Sequence, residues 1–247
     1  MTGRTSAPHC PPRRVLVGVD FGDASARALA IAGVVAAGFD ARLRALHAER
    51  FEPPAYFTVE QIGQLESERQ AAQAMAAAHV ARFAGEASGV AVEPAVADAP
   101  PVDALLDESA TVDLTVLGTH GRRGPGRWWL GSVAERVVRA ATVPVLVTRA
   151  AATPPRAVFE HIVLVQSGTE PDPAARICAE HFASLAGGRV TSAGPLAQCD
   201  VAALREASLI VMNTPESRSW GLTDAVARIL GACERPVLFM PPRADEK

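Results

Sequence analysis

Residues 15–25 read VLVGVDFGDAS, and this stretch decides the fold class. Residues 15–19 contain no polar side chain, which is typical of a strand buried on both faces of a parallel sheet. The polar turn that follows can cap a helix, and residues 24–37 are rich in alanine and leucine. A strand, a loop and a helix in this order predict an α/β fold with an open parallel sheet and flanking helices.

The same alternation continues to residue 149. Further strands are predicted at residues 41–48, 90–97, 114–117 and 143–148, and further helices at 59–85, 102–109 and 132–141. Pro144 lies in the last of these strands and indicates a sheet edge, because proline lacks the N–H that an inner strand uses. The first half is therefore predicted to be a Rossmann-like domain with five strands and four helices.

A second, shorter domain is predicted after residue 150. Residues 150–156, AAATPPR, have the composition of a linker, so the domain boundary divides the chain into residues 1–150 and 151–247. Strands at 162–165 and 209–212 and a helix at 173–186 then repeat the order of the first domain in reduced form.

The two domains end alike. A predicted helix at 225–233 and the proline-bearing strand at 236–240 parallel the helix and strand that close the first domain. An edge strand exposes unpaired N–H and C=O groups and is a liability unless it is covered. We therefore predict that strands 143–148 and 236–240 pair, which makes the chain an intramolecular pseudo-dimer of two Rossmann-like domains. A further homodimer is left open.

The overall composition excludes several classes of protein. A net charge of -3 does not fit a strongly basic protein that binds nucleic acid. No apolar run reaches the roughly 18–20 residues that cross a bilayer, so no membrane partner is expected. Residues 1–14 contain no apolar segment of signal-peptide length, and the expected location is cytoplasmic.

Metal, redox and P-loop chemistry are not indicated. The cysteines are too few and too widely separated for a disulfide framework, and none forms a CxxC pair. They are Cys10, Cys178, Cys199 and Cys233. The histidines form no HExxH motif, so no metal site is expected. Lys247 is the only lysine, whereas a Walker phosphate loop requires one beside its glycines.

The candidate site follows the strand at 114–117. Residues 118–132 read GTHGRRGPGRWWLGS and connect this strand to a helix. Glycines let backbone N–H groups approach phosphate oxygens, and the unpaired N–H groups and dipole of a helix N-terminus favour an anion. Open α/β sheets bind ligands at the carboxyl ends of their strands. The loop therefore predicts a phosphate site, although it lacks the GxGxxG fingerprint of dinucleotide-binding domains.

These residues resemble the universal stress protein (UspA) family. The spacing of Gly118, Gly121 and Gly131-Ser132 is similar to that family's ATP-binding signature, and VLVGVDFGDAS is similar to its first strand and loop. The resemblance covers residues 14–149 almost completely, and the shorter second half resembles the tandem members of the family. It implies an α/β domain of the adenine nucleotide alpha hydrolase-like type that binds ATP, with or without Mg²⁺.

The resemblance also implies which residues form the site. Those that would contact adenine and ribose are Gly18, Val19, Asp20, Ala48, Leu117 and Gly118. Those that would hold the phosphates are Gly121, Gly131, Ser132 and Val133. Among them, Asp20 would lie against the ribose and adenine, and Ala48 would pack on the base. From its place after a strand, Asp20 also fits the N-cap of the helix that follows.

Other residues of the loop have two interpretations. Its arginines are either solvated or neutralise the charge of a triphosphate. They are Arg122, Arg123 and Arg127. His120 is structural or lines the ligand, because no carboxylate or nucleophile is adjacent in sequence to form a triad. Trp128 and Trp129 form either a lid over the nucleotide or a contact with the second half.

The second half does not repeat this site. Ser167 stands where Asp20 stands in the first half, and residues 212–220, MNTPESRSW, replace the glycine loop. Thr223 and Asp224 replace Gly131-Ser132. Proline removes an N–H donor and the acidic side chains repel phosphate. We predict a nucleotide-free, structural half that stands in for the second subunit of a family dimer.

Two classes of function stay open. The first is a regulatory module of the stress response whose ATP occupancy alters a contact with an unidentified protein partner. The second is an enzyme that hydrolyses adenine nucleotides. Because residues 118–132 contain no Asp or Glu to act as a base or metal ligand, no catalytic residue is assigned and at most slow ATP hydrolysis is expected. A third interpretation is that the first half binds nothing.

Overall fold

The structure is a computed structural model that describes residues 9–50, 59–119, 130–149, 153–166, 172–199, 204–214, 226 and 235–242, with 59–67 and 197 described by their backbone alone. The strands of the first half are β1 (Arg14–Gly18), β2 (Arg42–Ala48), β3 (Val92–Ala97), β4 (Leu114–Thr119) and β5 (Val145–Arg149). Its helices are α1 (Asp23–Phe39), α2 (Val59–Ser88), α3 (Pro101–Ser109) and α4 (Ser132–Ala140). The predicted α/β alternation is therefore confirmed.

The second half contributes four strands to the same sheet. They are β6 (His161–Gln166), β7 (Arg189–Pro195), β8 (Leu209–Asn213) and β9 (Val237–Met240). The second half also contains the helix α5 (Pro173–Ser184) and 3-10 turns at Pro155–Phe159 and Leu196–Gln198. The order across the nine-stranded sheet is β3-β2-β1-β4-β5-β9-β8-β6-β7.

Apolar runs become buried strands because both faces of the sheet are covered. Val15 and Val17 of β1 lie in a core with α1 and α5, whereas Leu16 between them lies in a second core with α3 and α4. All three are fully buried. Each core contains residues from both halves of the chain, so the halves share their hydrophobic interior. Among the described helices, none is long and apolar enough to cross a bilayer.

The halves join through β5 and β9, which pair as predicted and run antiparallel. Leu146 faces Leu238, with Val145 opposite Phe239 and Val147 opposite Val237. The central pair also occupies equivalent places in the two halves, because Leu146 is next to Val116 of β4 and Leu238 is next to Val211 of β8. A local two-fold axis therefore passes between Leu146 and Leu238. The predicted pairing of the closing strands is confirmed.

The expectation that Pro144 marks a sheet edge is wrong, because β5 lies inside the continuous sheet between β4 and β9. Pro144 precedes the first residue of β5, so its missing N–H removes no ladder hydrogen bond. Its carbonyl accepts from the Thr115 N–H at 3.0 Å, and the Pro236 carbonyl accepts from the Ile210 N–H at 3.1 Å in the second half. Each proline thus starts a central strand.

The second half is reduced as predicted, but β7 was missed. Its sequence, RVTSAGP, mixes polar with small residues and its side chains are exposed or half-buried, so it lacks the apolar run of a central strand. The segment 196–208 between β7 and β8 is too short for a counterpart of the 30-residue helix α2 together with a strand like β3. The predicted helix at 225–233 lies outside the described residues except for Val226.

Cys10 and Cys178 form a disulfide, with their Cα atoms 5.4 Å apart and a sequence separation of 168. This bond corrects the expectation drawn from cysteine spacing. The fold brings the segment before β1 beside α5, where Phe39 and Phe182 also meet with ring centroids 5.9 Å apart. Sequence spacing cannot reveal a pair that only the packing of α1 against α5 brings together.

Candidate functional site

The ends of three parallel strands meet at one edge of the sheet. Gly18, the last residue of β1, lies between Leu46 of β2 and Leu117 of β4 in the strand registers. The predicted base and ribose residues therefore come together here, because they sit at or just beyond these strand ends. They are Gly18, Val19, Asp20, Ala48, Leu117 and Gly118. This is the carboxyl edge, where open α/β sheets hold their ligands.

One glycine at this edge is required for packing. A Cβ on Gly118 would lie 2.2 Å from the Ala24 carbonyl oxygen, so only glycine lets the end of β4 touch the start of α1. A Cβ on Gly18 would lie 2.9 Å from Leu117 Cδ2, the end of a flexible side chain that can shift. Gly118 therefore sets the shape of the edge by close approach, and this role does not depend on any ligand.

Asp20 lies on the exposed turn between β1 and α1. Its Oδ1 accepts a hydrogen bond of 3.0 Å from the Gly22 N–H. The N-cap of α1 is Gly22, so the interpretation of Asp20 as the N-cap is wrong. The carboxylate instead closes a turn just before the helix, and its side chain remains at the surface of the edge.

The phosphate side of the site is the start of α4. Its N-cap is Gly131, which has no side chain to satisfy the first N–H groups of the helix. The Gly131 N–H donates to Thr119 Oγ1 at 3.1 Å, which ties the helix start to the end of β4. Ser132 is exposed and Val133 is half-buried. Sequence reasoning missed Thr119, because it ended the strand at residue 117.

Part of the predicted site lies outside the described residues. This holds for Gly121 and for Arg122. The other loop residues discussed in the sequence analysis also lie outside the described residues. They are His120, Arg123, Arg127, Trp128 and Trp129.

Two further acidic groups near the described part of the edge, besides Asp20, are engaged in ion pairs. Asp98, which follows β3, pairs with Arg69 of α2 at 3.0 Å. Glu135, in the first turn of α4, pairs with Arg139 at 3.2 Å. Among the described residues, no three His, Cys, Asp or Glu side chains gather in a group that could hold a metal ion. Sequence reasoning did not single out Asp98, although its place after a strand is a usable signal.

The corresponding edge of the second half is closed by its own side chains. In the strand registers Asn213 of β8 takes the place of Gly118. Its Nδ2 donates to Asp172 Oδ2 at 2.7 Å, and Asp172 Oδ1 accepts from the Ala174 N–H at 3.0 Å. A carboxylate therefore caps α5, whereas a glycine begins α1. Ser167, Thr223 and Asp224 lie outside the described residues.

Known proteins resemble the chain at two levels. A universal stress protein of Methanocaldococcus jannaschii is 30% identical over 139 residues, which are 56% of this chain and 82% of that protein. A structure of a universal stress protein from Archaeoglobus fulgidus covers 93% of this chain and 98% of its own, with a TM-score of 0.64 and 17% identity. The second likeness is one of fold, and it extends over both halves.

A shorter likeness is to the structure of a universal stress protein in complex with cAMP. That protein is 27% identical, and the match covers 57% of this chain and 98% of that one, with a TM-score of 0.40. Universal stress proteins of Mycobacterium bovis and Mycobacterium tuberculosis match over 145 residues. This match spans 46% of their length, so the chain covers about half of these relatives. The universal stress protein family itself matches residues 12–149, more than half of the chain. The chain therefore belongs to the universal stress protein family.

Proposed function

We propose that the first half binds one adenine nucleotide, with ATP as the ligand, and that the chain acts as a regulatory module of the stress response. The observation that carries this proposal is the carboxyl edge of the first half. There the ends of β1, β2 and β4 meet the glycine-capped start of α4. A helix start of this kind stabilises a phosphate through its N–H groups and dipole.

The chemistry of the edge fits the three parts of a nucleotide. Ala48 and Val133 are half-buried and pack against the hydrophobic core that contains Leu117, and their exposed parts offer apolar surface to a base. Asp20 offers a carboxylate, which can only accept hydrogen bonds and so suits sugar hydroxyl groups. Ser132, exposed at the start of α4, adds a hydroxyl donor for phosphate. Mg²⁺ would arrive on the phosphates and keep several waters, because it needs few protein ligands.

The second half is proposed to be a degenerate universal stress protein domain with a structural role. The start of α5, which corresponds to the start of α1, carries the Asp172 carboxylate, bonded to the Ala174 N–H and to Asn213 Nδ2. Side chains therefore occupy the edge at which the first half would hold the sugar and base. The chain should therefore bind one nucleotide, not two, and the second half supplies the partner strand β9.

We expect ATP to bind more tightly than adenosine, and Gly131→Val to weaken ATP binding by more than about tenfold, or about 1.4 kcal/mol. A side chain at Gly131 blocks the approach of phosphate to the helix start. It should leave the fold intact, because a Cβ there lies 3.7 Å from Thr119 Oγ1, an ordinary contact. Calorimetry with both ligands measures the effect, and thermal denaturation checks the fold.

Gly85→Val is the matched control, because a Cβ on Gly85 of α2 meets no atom within 4 Å. It should bind ATP as the unchanged chain does. Equal affinities of the unchanged chain for ATP and adenosine would remove the phosphate site from the proposal. Full ATP affinity in Gly131→Val would show that the start of α4 is not the site.

Hydrolysis of ATP is expected to be absent or far slower than about 1 s⁻¹, the lower end of phosphoryl-transfer enzymes. Residues 118–132 contain no acidic side chain to order water or Mg²⁺, and Glu135 is paired with Arg139. Release of phosphate at saturating ATP and Mg²⁺ gives the rate. Turnover at or above about 1 s⁻¹ that is lost in Asp20→Asn would favour the enzyme interpretation instead.

A further inference from the structure

Phe21 has an unusual backbone conformation beside the candidate site. Its φ angle is 61°, in the left-handed region that bulky side chains rarely adopt. It follows Asp20 directly and precedes Gly22, the N-cap of α1. A conformation of this kind persists only where surrounding contacts enforce it.

Three rings enforce it. The centroid of Phe21 lies 4.7 Å from that of His47, 4.5 Å from that of His79 and 5.5 Å from that of Phe83. The pairs with His79 and Phe83 are edge-to-face, which is a favourable arrangement for aromatic rings. His47 belongs to β2, and the other two belong to α2. The turn after β1 is thus held by two elements far from it in sequence.

His47 also holds the residue on the other side of Asp20. Its Nδ1 lies 2.9 Å from the Val19 carbonyl oxygen, and because a carbonyl can only accept, Nδ1 carries the proton and donates. The Val19 N–H in turn donates to the Leu46 carbonyl at 2.9 Å. One histidine therefore contacts both neighbours of Asp20, through a hydrogen bond to Val19 and a ring contact with Phe21.

We infer that His47 and Phe21 are positioning residues that aim the Asp20 carboxylate at the sugar hydroxyl groups of the bound nucleotide. This inference rests on the proposed function. It predicts a preference for ribonucleotides over nucleotides whose sugar lacks both hydroxyls. Neither His47 nor Phe21 needs to touch the ligand, because they act through the backbone on either side of Asp20.

The test compares the affinities for ATP and for 2′,3′-dideoxy-ATP, measured by calorimetry. In the unchanged chain ATP should bind more tightly by about tenfold or more, since hydrogen bonds to a charged group are strong. In Phe21→Gly this ratio should fall to about threefold or less, while the affinity for dideoxy-ATP stays the same. Glycine tolerates a φ of 61°, so this variant keeps the turn but loses the ring of Phe21 and its contacts with the three neighbouring rings.

Two substitutions of His47 separate its contact with Val19 from its contact with Phe21. His47→Asn keeps a donor for the Val19 carbonyl and loses the ring, whereas His47→Phe keeps a ring beside Phe21 and loses the donor. Both should lower the ATP preference, and Asn should retain more of it if the hydrogen bond dominates. His181→Ala is the matched control, because its Nδ1 makes a similar bond of 2.8 Å to the Ile177 carbonyl in the second half.

The outcomes are distinct. Failure of the unchanged chain to bind either nucleotide overturns the proposed function and this inference with it. Binding of both nucleotides with an unchanged ratio in folded Phe21→Gly and His47→Phe overturns the positioning role alone. An equal loss of affinity for both nucleotides also overturns it, because the residues would then support the whole pocket. A selective loss of the ATP preference, with His181→Ala unchanged, supports it.

Discussion

Replacing Leu238 by aspartate is expected to prevent the chain from folding. Leu238 is fully buried and faces Leu146, 1% exposed, at the centre of the paired strands β5 and β9. A carboxylate without a partner there costs several kcal/mol, and a domain has only about 5–15 kcal/mol of stability in total. Leu238→Ala, which removes buried methyl groups only, should lower the free energy of unfolding by about 2–5 kcal/mol.

Denaturant unfolding followed by circular dichroism measures both variants. Ile177→Asp is the control, because Ile177 of α5 is 48% exposed and its replacement should change stability by no more than about 0.5 kcal/mol. A folded Leu238→Asp variant of nearly normal stability would contradict the importance of this strand pair.

The same strand pair governs how the first half behaves alone. Residues 1–150 lack β9, so β5 would expose its backbone edge and the side chains of Val145 and Val147. This fragment should dimerise through β5 or aggregate, and light scattering distinguishes these states from a monomer. A soluble monomer of residues 1–150 would mean that the first half does not need a partner strand.

Opening the Cys10–Cys178 disulfide is expected to lower the free energy of unfolding by about 2–5 kcal/mol. The bond closes a loop of 168 residues and so restricts the unfolded chain strongly. It also fastens the segment before β1 to α5 across the two halves. Unfolding in guanidinium with and without a reducing agent measures the effect, and thiol titration shows whether the bond is open.

Cys10→Ala removes the half-buried partner and should make stability independent of reductant. Cys178→Ala should do the same, and the double variant should be little worse than Cys178→Ala, because both changes remove one bond. Cys199→Ala, at the buried cysteine outside the disulfide, should keep the response to reductant. A stability that is equal in the oxidised and reduced chain would contradict the prediction.

Strands with apolar residues on both faces were predictable, whereas the end strand β7 was not. Residues 15–18 and 114–117 have no polar alternation, because each inner strand of the sheet is covered on both sides by helices. In contrast, β7 carries Thr191 and Ser192 on an exposed strand at the end of the sheet, so neither burial nor alternation marks it. The pairing of β5 with β9 followed from two similar sequence endings, but its register did not.

Some features of the candidate site were likewise predictable from the sequence, and others were not. Glycine spacing after β4 indicated where phosphate would approach, because the absence of side chains can be read directly from the sequence. The packing role of Gly118 could not be read, since it depends on the position of the Ala24 carbonyl in α1. Likewise, nothing adjacent in sequence connects Asp20 with His47, which belongs to the neighbouring strand β2.

The sequence by itself determined the α/β alternation and the membership of residues 12–149 in the universal stress protein family. These properties depend on hydrophobic patterns and on residues close together in the chain. Only the tertiary structure decided the axis between Leu146 and Leu238, the Cys10–Cys178 bond and the rings around Phe21. Each of these joins residues from distant elements, whose contact depends on how strands and helices pack and leaves no local pattern in the sequence.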